Sequence, residues 1–266
     1  MTKELNFDFG IEEFAVVISL TKKTDEAKGL MFSTFGKLSS DEEKGRLLAA
    51  YNSLFARGLL GYKEGEFSLH SGIRKMLDIF FESRKLVKTG KSVDTGENVI
   101  SYYAHQNVWL EHSVIQGVAH RFRYPIVKQD AQKNIEKFLL PHSPSNIKKV
   151  IVDISSDLIF NKSPGNLSNY DTVLNHLEKN EKNISPEMRY LAEDISNGEW
   201  RGSTIWMDRS SENQLLSRGY LWIQGKERFW FINSGNSDQP SILRATLCEK
   251  NDFSKNIREL INTSSA

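Results

Sequence analysis

The stretch Lys250–Ile261, KNDFSKNIRELI, decides how we interpret the fold, because a similar stretch occurs earlier in the chain. The earlier stretch is Lys128–Leu139, KQDAQKNIEKFL, in which Lys, Asp, Lys, Asn and Ile recur at matching positions. In each stretch an aspartate is placed to cap a helix, a lysine is exposed beside it, and an isoleucine faces inward. We therefore predict that each stretch is an amphipathic helix packed on a sheet.

The similarity extends upstream of both helices. Ile100–Ser113 can be matched to Leu221–Ser234, which places Trp109 on Trp230. Two blocks in the same order, about 120 residues apart, are the pattern that a tandem duplication leaves. The sequence thus predicts two pseudo-symmetric repeats.

The order of the predicted elements sets the fold class. Helices are followed by an antiparallel meander and a closing helix, twice, which indicates an α+β fold and not a doubly wound parallel sheet. The predicted N-terminal repeat covers residues 1–140, with a winged-helix-like start, three strands and a helix. Residues 141–169 are the predicted junction, and residues 170–266 the predicted C-terminal repeat of helices, antiparallel strands and a closing helix.

The first repeat contains local signals for its elements. Ser40 and Glu43 fit a capping box, and five residues then follow helical spacing and predict one core-facing stripe: Leu47, Leu48, Tyr51, Leu54 and Phe55. Tyr62–Leu69 predicts a tight hairpin around Gly65. Residues 90–98 are predicted to be a polar connector.

Composition narrows the possible functions. The formal net charge of +1 gives no general attraction to nucleic acid or anionic membranes. The single cysteine, Cys248, cannot form an intrachain disulfide. No secretory signal is recognisable at the N-terminus, and the apolar runs are too short to span a bilayer. We therefore expect a cytoplasmic protein without membrane contact.

Residues 11–88 leave one nucleic-acid hypothesis open. Their helices and hairpin could form a winged helix with residues 41–57 as the reading element, which makes a DNA-binding transcriptional regulator the alternative function. The exposed face of that helix offers Lys44, Arg46, Asn52 and Arg57, interrupted by alanines and a serine. Reading DNA requires several basic and amide side chains on one face, so we expect a packing module and consider nucleic acid an improbable partner.

Catalytic and metal signatures are weak in this sequence. His105, His112 and His120 fall within one predicted meander and could in principle bind zinc, but the repeat match pairs His105 with Lys226 and His112 with Asn233. No phosphate loop, nucleophile elbow or metalloprotease pair occurs. We expect no enzyme activity, no metal and no cofactor.

The second predicted meander is rich in large aromatic residues. Such side chains anchor many protein interfaces, and this meander contains more of them than its counterpart. We predict that most of them form the core and that four bind a partner protein: Trp200, Trp206, Tyr220 and Trp222.

The sequence resembles the EspG family, the cytosolic chaperones of type VII secretion in actinobacteria. The resemblance rests on Arg46–Gly61 (RLLAAYNSLFARGLLG) with the hairpin Tyr62–Leu69, on Arg218–Ser234 (RGYLWIQGKERFWFINS) with Ile242–Leu247 and a final amphipathic helix, and on the repeat. The chain differs in its richness in Lys, Asn and Ser, and residues 146–169 have no counterpart. The resemblance implies a central antiparallel sheet flanked by helical subdomains, and a non-enzymatic chaperone or adaptor that holds a helical secreted partner.

Overall fold

The computed structural model describes residues 4–93, 96–139, 141, 150–156, 159, 170–178, 185–197, 200–211, 214–234 and 242–262. Within them the protein is α+β, with helices and a large antiparallel sheet. The predicted fold class is therefore confirmed. The chain divides into two compact units: unit 1 is residues 1–86 and 98–131, and unit 2 is residues 87–97 and 132–266.

The first half of the chain forms seven strands and five helices in the described residues. In order they are β1 (Leu5–Gly10), α1 (Ile11–Ser19), α2 (Thr24–Phe35), α3 (Ser40–Ala56), β2 (Leu60–Lys63), β3 (Glu66–Leu69), α4 (Ser71–Glu82), β4 (Lys85–Val93), β5 (Gly96–His105), β6 (Val108–Ile115), β7 (Ala119–Ile126) and α5 (Lys128–Leu139). Strands of unit 1 follow the order β1-β7-β6-β5, and β2 and β3 form a separate hairpin.

The second half contains β8 (Ile151–Ser155), α6 (Tyr170–Glu178), α7 (Pro186–Asn197), β9 (Trp200–Ser211), β10 (Gln214–Gln224), β11 (Phe229–Ser234), β12 (Ile242–Leu247) and α8 (Lys250–Asn262). In unit 2 the strand order is β4-β9-β10-β11-β12-β8. The β9–β10, β10–β11, β11–β12 and β12–β8 pairs are antiparallel.

Helices cover both faces of the sheet in unit 2. On one face Ile223, Trp230 and Ile232 pack with residues of α6 and α7. On the other face Phe253 of α8 lies 5.0 Å from Trp222 and 5.4 Å from Phe229, measured between ring centroids. Apolar side chains on successive strand positions are therefore buried from both sides.

A buried ion pair connects α7 to the β10–β11 turn. Nε of Arg228 lies 2.7 Å from Oδ2 of Asp194, and the indole N–H of Trp230 donates to the same oxygen over 2.8 Å. A Cβ at Gly225 would collide with this carboxylate, so only glycine fits at that position. The hydrogen bonds from Arg228 to Asp194 raise the pKa of Arg228, although its partial burial acts in the opposite direction.

Two local predictions require correction. The capping box of α3 is formed by Ser39 and Glu42, because the Ser39 N–H donates to Glu42 and the Ser39 hydroxyl accepts from the Glu42 N–H. Both serines fit the S-x-x-E motif, which is why the prediction of Ser40 and Glu43 was one residue late. Most of the predicted connector 90–98 instead lies in strands β4 and β5.

The compact units differ from the predicted division of the chain. Residues 87–97 group with unit 2, and unit 1 ends at Ala131, inside α5. Strand β8 lies in the predicted junction and pairs with β12. The rest of that junction falls largely outside the described residues.

The two matched helices form with the predicted buried faces, but the duplication is not confirmed. The prediction that Asp130 and Asp252 cap them was wrong, because the helices begin at Lys128 and Lys250 and both aspartates lie in the first turn. Ala131, Ile135 and Leu139 are buried on α5, as Phe253, Ile257 and Ile261 are at the matching positions of α8. In the two matched hairpins, however, the corresponding tryptophans do not pair with corresponding residues. Trp109 pairs with Ala104, whereas Trp230 pairs with Ile223, two residues before the position matched to Ala104.

Candidate protein-binding surface

Helix α3 buries a narrower stripe than its sequence predicted. Ala50 and Leu54 are buried and Leu47 and Tyr51 half-buried, but Leu48 is 63% and Phe55 38% exposed. Leu48 and Phe55 each lie one residue, roughly 100°, beyond the buried stripe. The expectation that both face the core was therefore wrong.

The β2–β3 hairpin adds two exposed aromatic side chains beside α3. Its turn has positive φ at Glu64 and Gly65, 53° and 89°, as a two-residue type I′ hairpin requires. Tyr62 is 60% and Phe67 46% exposed. The Phe67 ring lies 5.0 Å from Tyr62, 5.2 Å from Tyr51 and 5.9 Å from Phe55. We call Leu48, Phe55, Tyr62 and Phe67 the α3–hairpin surface.

Polar contacts with α1 fix the position of α3. Glu13 accepts hydrogen bonds from the Ser53 hydroxyl (2.5 Å) and from Arg57 (2.9 Å), while Arg46 pairs with Glu12 (2.9 Å). Burial raises the pKa of Glu13, but hydrogen bonds from Ser53, the Gly10 N–H and Arg57 outweigh it and leave the pKa below its usual value. These contacts attach to α1 the helix that carries Leu48 and Phe55.

A small cavity opens beside the surface, among α1, α2 and α3. Its volume is about 110 Å³. Its walls are mainly apolar, with Lys28 and Glu43 among the lining residues and Leu47 and Tyr51 contributed by α3. Exposed apolar side chains next to a concave apolar site can dock a large apolar side chain of another protein.

The four predicted partner-binding residues lie in β9 and β10 of unit 2. Trp222 is completely buried and its indole N–H donates to Thr204, while Trp206 is 4% exposed. Tyr220 is half-buried, and the side chain of Trp200 falls outside the described part of the structure. The structure therefore gathers two of these residues into the core, and their role in partner binding stays a prediction.

The three candidate zinc ligands do not converge. His112 and His120 contact each other, whereas Nδ1 of His105 lies 3.3 Å from the carbonyl oxygen of Glu82. Within the described ranges no group of three or more His, Cys, Asp or Glu side chains is arranged to hold a metal ion.

Sequence reasoning missed Leu48, Phe55, Tyr62 and Phe67 as candidate binding residues. One signal for two of them was available, because Leu47, Ala50, Tyr51 and Leu54 already complete an i, i+3, i+4, i+7 stripe without Leu48 and Phe55. The exposure of Tyr62 and Phe67 depends on what packs against the hairpin, which the local sequence does not specify.

Comparison with known proteins first defines the class of fold. The structure is similar to that of the Mycobacterium tuberculosis type VII secretion system chaperone EspG5, solved in complex with a PE25–PPE41 dimer. The TM-score is 0.69 over 97% of this chain and 96% of the other, at 8% sequence identity. The predicted resemblance to the EspG fold is thus confirmed at the level of structure.

The sequence then places the chain in a family. Residues 27–254 match the model of the family described as uncharacterised protein YfjC, and the chain belongs to that family. No curated protein matches the sequence. None of the helices in the described ranges has both the length and the apolar character needed to cross a membrane.

Proposed function

We propose that this protein is a cytoplasmic, non-enzymatic chaperone or adaptor that binds a helical protein partner of a type VII-like secretion system. The observation that carries the proposal is the α3–hairpin surface, whose four large apolar side chains are exposed. Phe67 lies within 6 Å of Phe55 and Tyr62, and Leu48 is seven residues before Phe55 on the same face of α3. Clustered exposed aromatic side chains are typical of protein-binding sites. The fold supports the same function, because the similar protein EspG5 is a chaperone solved with a protein dimer.

The geometry of the surface suits a helix as the partner element. Leu48 and Phe55 are two turns apart on α3, and Tyr62 and Phe67 extend the apolar area sideways from it. An amphipathic helix laid beside α3 would present residues at i, i+3, i+4 and i+7 to such an area. A large anchor residue from that helix could enter the cavity lined by Leu47 and Tyr51.

The test begins with co-purification from the native host, followed by identification of the partner and reconstitution from purified components. We expect a 1:1 complex with a predominantly helical protein. The double variant Leu48→Ser/Phe67→Ser should weaken that complex at least about tenfold, since a single interface hot spot contributes ~2 kcal/mol or more.

Val118→Ser is the matched control, because Val118 is also an exposed apolar residue of unit 1 but lies at the β6–β7 turn. Equal affinity of wild type and the double variant would reject the α3–hairpin surface. If only Tyr220→Ala weakened the complex, the binding site would lie in β10 instead. A chain that always isolates alone would reject the chaperone function itself.

A winged-helix DNA-binding regulator is the alternative function, because the hairpin after α3 forms as a wing would. Two of the four polar residues offered by α3 are already engaged, however, since Arg46 pairs with Glu12 and Arg57 with Glu13. A regulator would bind duplex DNA with an affinity that falls steeply with salt. Absence of binding at low salt would eliminate this alternative.

A further inference from the structure

Two histidines are buried against each other in the core of unit 1. His112 lies in β6 and His120 in β7, with Nε2 of His112 2.9 Å from Nδ1 of His120. The rings are parallel to within 5°, with centroids 5.1 Å apart. Because a 2.9 Å N···N contact needs one donor and one acceptor, two neutral rings can form this hydrogen bond without any added proton.

The pair is enclosed mainly by aromatic side chains. Phe14 of α1 lies 4.7 Å from His120, Phe122 of β7 stacks 4.4 Å from His112, and Phe80 of α4 meets His112 edge-on at 5.7 Å. Helices α1 and α4 therefore each rest on the pair through one phenylalanine.

From β5, Tyr103 is the titratable group that faces the pair, at 6.3 Å from His112, and Ser101 lies opposite His112 in the ladder.

The charged groups of the surrounding elements are engaged elsewhere. On the strands, Glu111 pairs with Arg123, and Arg121 pairs with Asp8. On α1, Glu12 pairs with Arg46 of α3 and Glu13 with Arg57, the residue after α3. The charged residues of α4 are exposed: Arg74, Lys75, Asp78 and Glu82. Among the contacts described for the two imidazoles, none is made by a carboxylate.

This geometry tolerates neutral rings and resists protonation. A first added proton places a positive charge where burial removes it from water and no carboxylate contact is described for either ring. A second forces two N–H donors to face each other across the 2.9 Å contact, which breaks the shared hydrogen bond. Nε2 of His120 is buried and has no partner in the described structure, so a proton added there would have no acceptor.

The expected titration agrees with the geometry. Burial, with a smaller effect of His120, lowers the pKa of His112 to about 3, and burial lowers the pKa of His120 to about 4. An unfolded histidine has a pKa of about 6.5. The unfolded chain thus binds more protons, so the stability from this pair is complete above pH ~6.5 and is lost as pH falls from there toward 4 and 3.

We propose that the His112–His120 pair is an acid-sensitive lock, which holds α1 and α4 on the sheet of unit 1 while neutral and releases them in acid. Because α1 also anchors α3 through Glu12 and Glu13, release would loosen the helix that carries Leu48 and Phe55. The lock itself does not depend on the proposed binding function.

The test compares the pH dependence of unfolding in urea for wild type, for His112→Phe/His120→Phe, and for the control His105→Gln. Two groups with an unfolded pKa of about 6.5 should raise the unfolding constant of the wild type and the control about 10³-fold between pH 8 and pH 5. The Phe/Phe variant should lack this increase. The proposal would be overturned if the unfolding constants of all three proteins rose equally as the pH falls from 8 to 5.

A second measurement on the wild type remains decisive if the Phe/Phe variant does not fold. Ring-carbon NMR of the folded protein should show His112 and His120 neutral down to pH 5. Titration of either ring near pH 6.5 in the folded state would also overturn the proposal.

Discussion

Two aromatic clusters, one in each unit, have opposite exposure. In unit 1, Phe67 lies within 6 Å of three aromatic rings, yet Tyr62 and Phe67 are open to solvent. In unit 2, the Trp222 cluster comprises Trp222, Phe229, Phe231 and Phe253, and all four are buried. The difference comes from a covering element. Phe253 belongs to α8, which packs on the cluster, whereas the exposed faces of Tyr62 and Phe67 have no such cover in the described structure.

This comparison changes where a binding site is expected. Aromatic richness alone predicted the site in β9 and β10, where Trp206 and Trp222 are buried. When burial is taken into account, the binding site is expected instead at the smaller aromatic cluster on α3 and the hairpin. Buried aromatics stabilise the fold, while exposed ones remain available for a partner.

The largest difference in loss of stability is expected between substitutions of two phenylalanines, Phe253 and Phe67. Phe253→Ala should destabilise the protein by about 3–5 kcal/mol, because it opens a cavity beside Trp222 and Phe229. Phe67→Ala should cost less than about 1 kcal/mol, because its ring is nearly half exposed. Urea denaturation measures both, and equal losses would contradict the assignment of one ring to the core and the other to the surface.

A smaller difference in loss of stability is expected between substitutions in two arginine–carboxylate pairs. Asp194 is 3% exposed and also accepts from Trp230, so Asp194→Asn should lower stability by about 3 kcal/mol. Glu12 and Arg46 are partly exposed, and Glu12→Gln should cost at most about 1 kcal/mol. Thermal unfolding of the two single variants distinguishes them; a larger loss at Glu12 would contradict this ranking.

The smallest stability effect is expected on the α3–hairpin surface itself. Tyr62→Ser/Phe67→Ser should leave the melting temperature within a few degrees, since surface changes usually alter stability by less than about 0.5 kcal/mol each. Fluorescence of a dye that binds exposed apolar surface should nevertheless decrease. Val118→Ser, at an exposed apolar residue of the β6–β7 turn, should leave more of the dye signal. An unchanged signal in the double variant would show that the surface is not the dye-binding area.

Local sequence signals predicted which helices and strands form better than they predicted which elements pack or pair with one another. Helices α5 and α8, the hairpin at Gly65 and the strands of both meanders could be predicted, because periodicity and turn glycines act over a few residues. The prediction of residues 90–98 as a connector failed, because strand pairing between β4 and β9 is decided by residues more than 100 positions apart.

The sequence by itself determined the α+β class, the two matched helices, the hairpin at Gly65 and the buried faces of α5 and α8. Each of these follows from short-range periodicity in apolar residues or from a turn glycine. Only the tertiary structure decided which aromatic cluster is exposed, that His112 and His120 meet, and that Asp194 binds Arg228 and Trp230. The Asp194 contacts join residues 34 and 36 positions apart, and the histidine contact depends on the pairing of β6 with β7. Burial depends on which element covers a side chain, which no local pattern encodes.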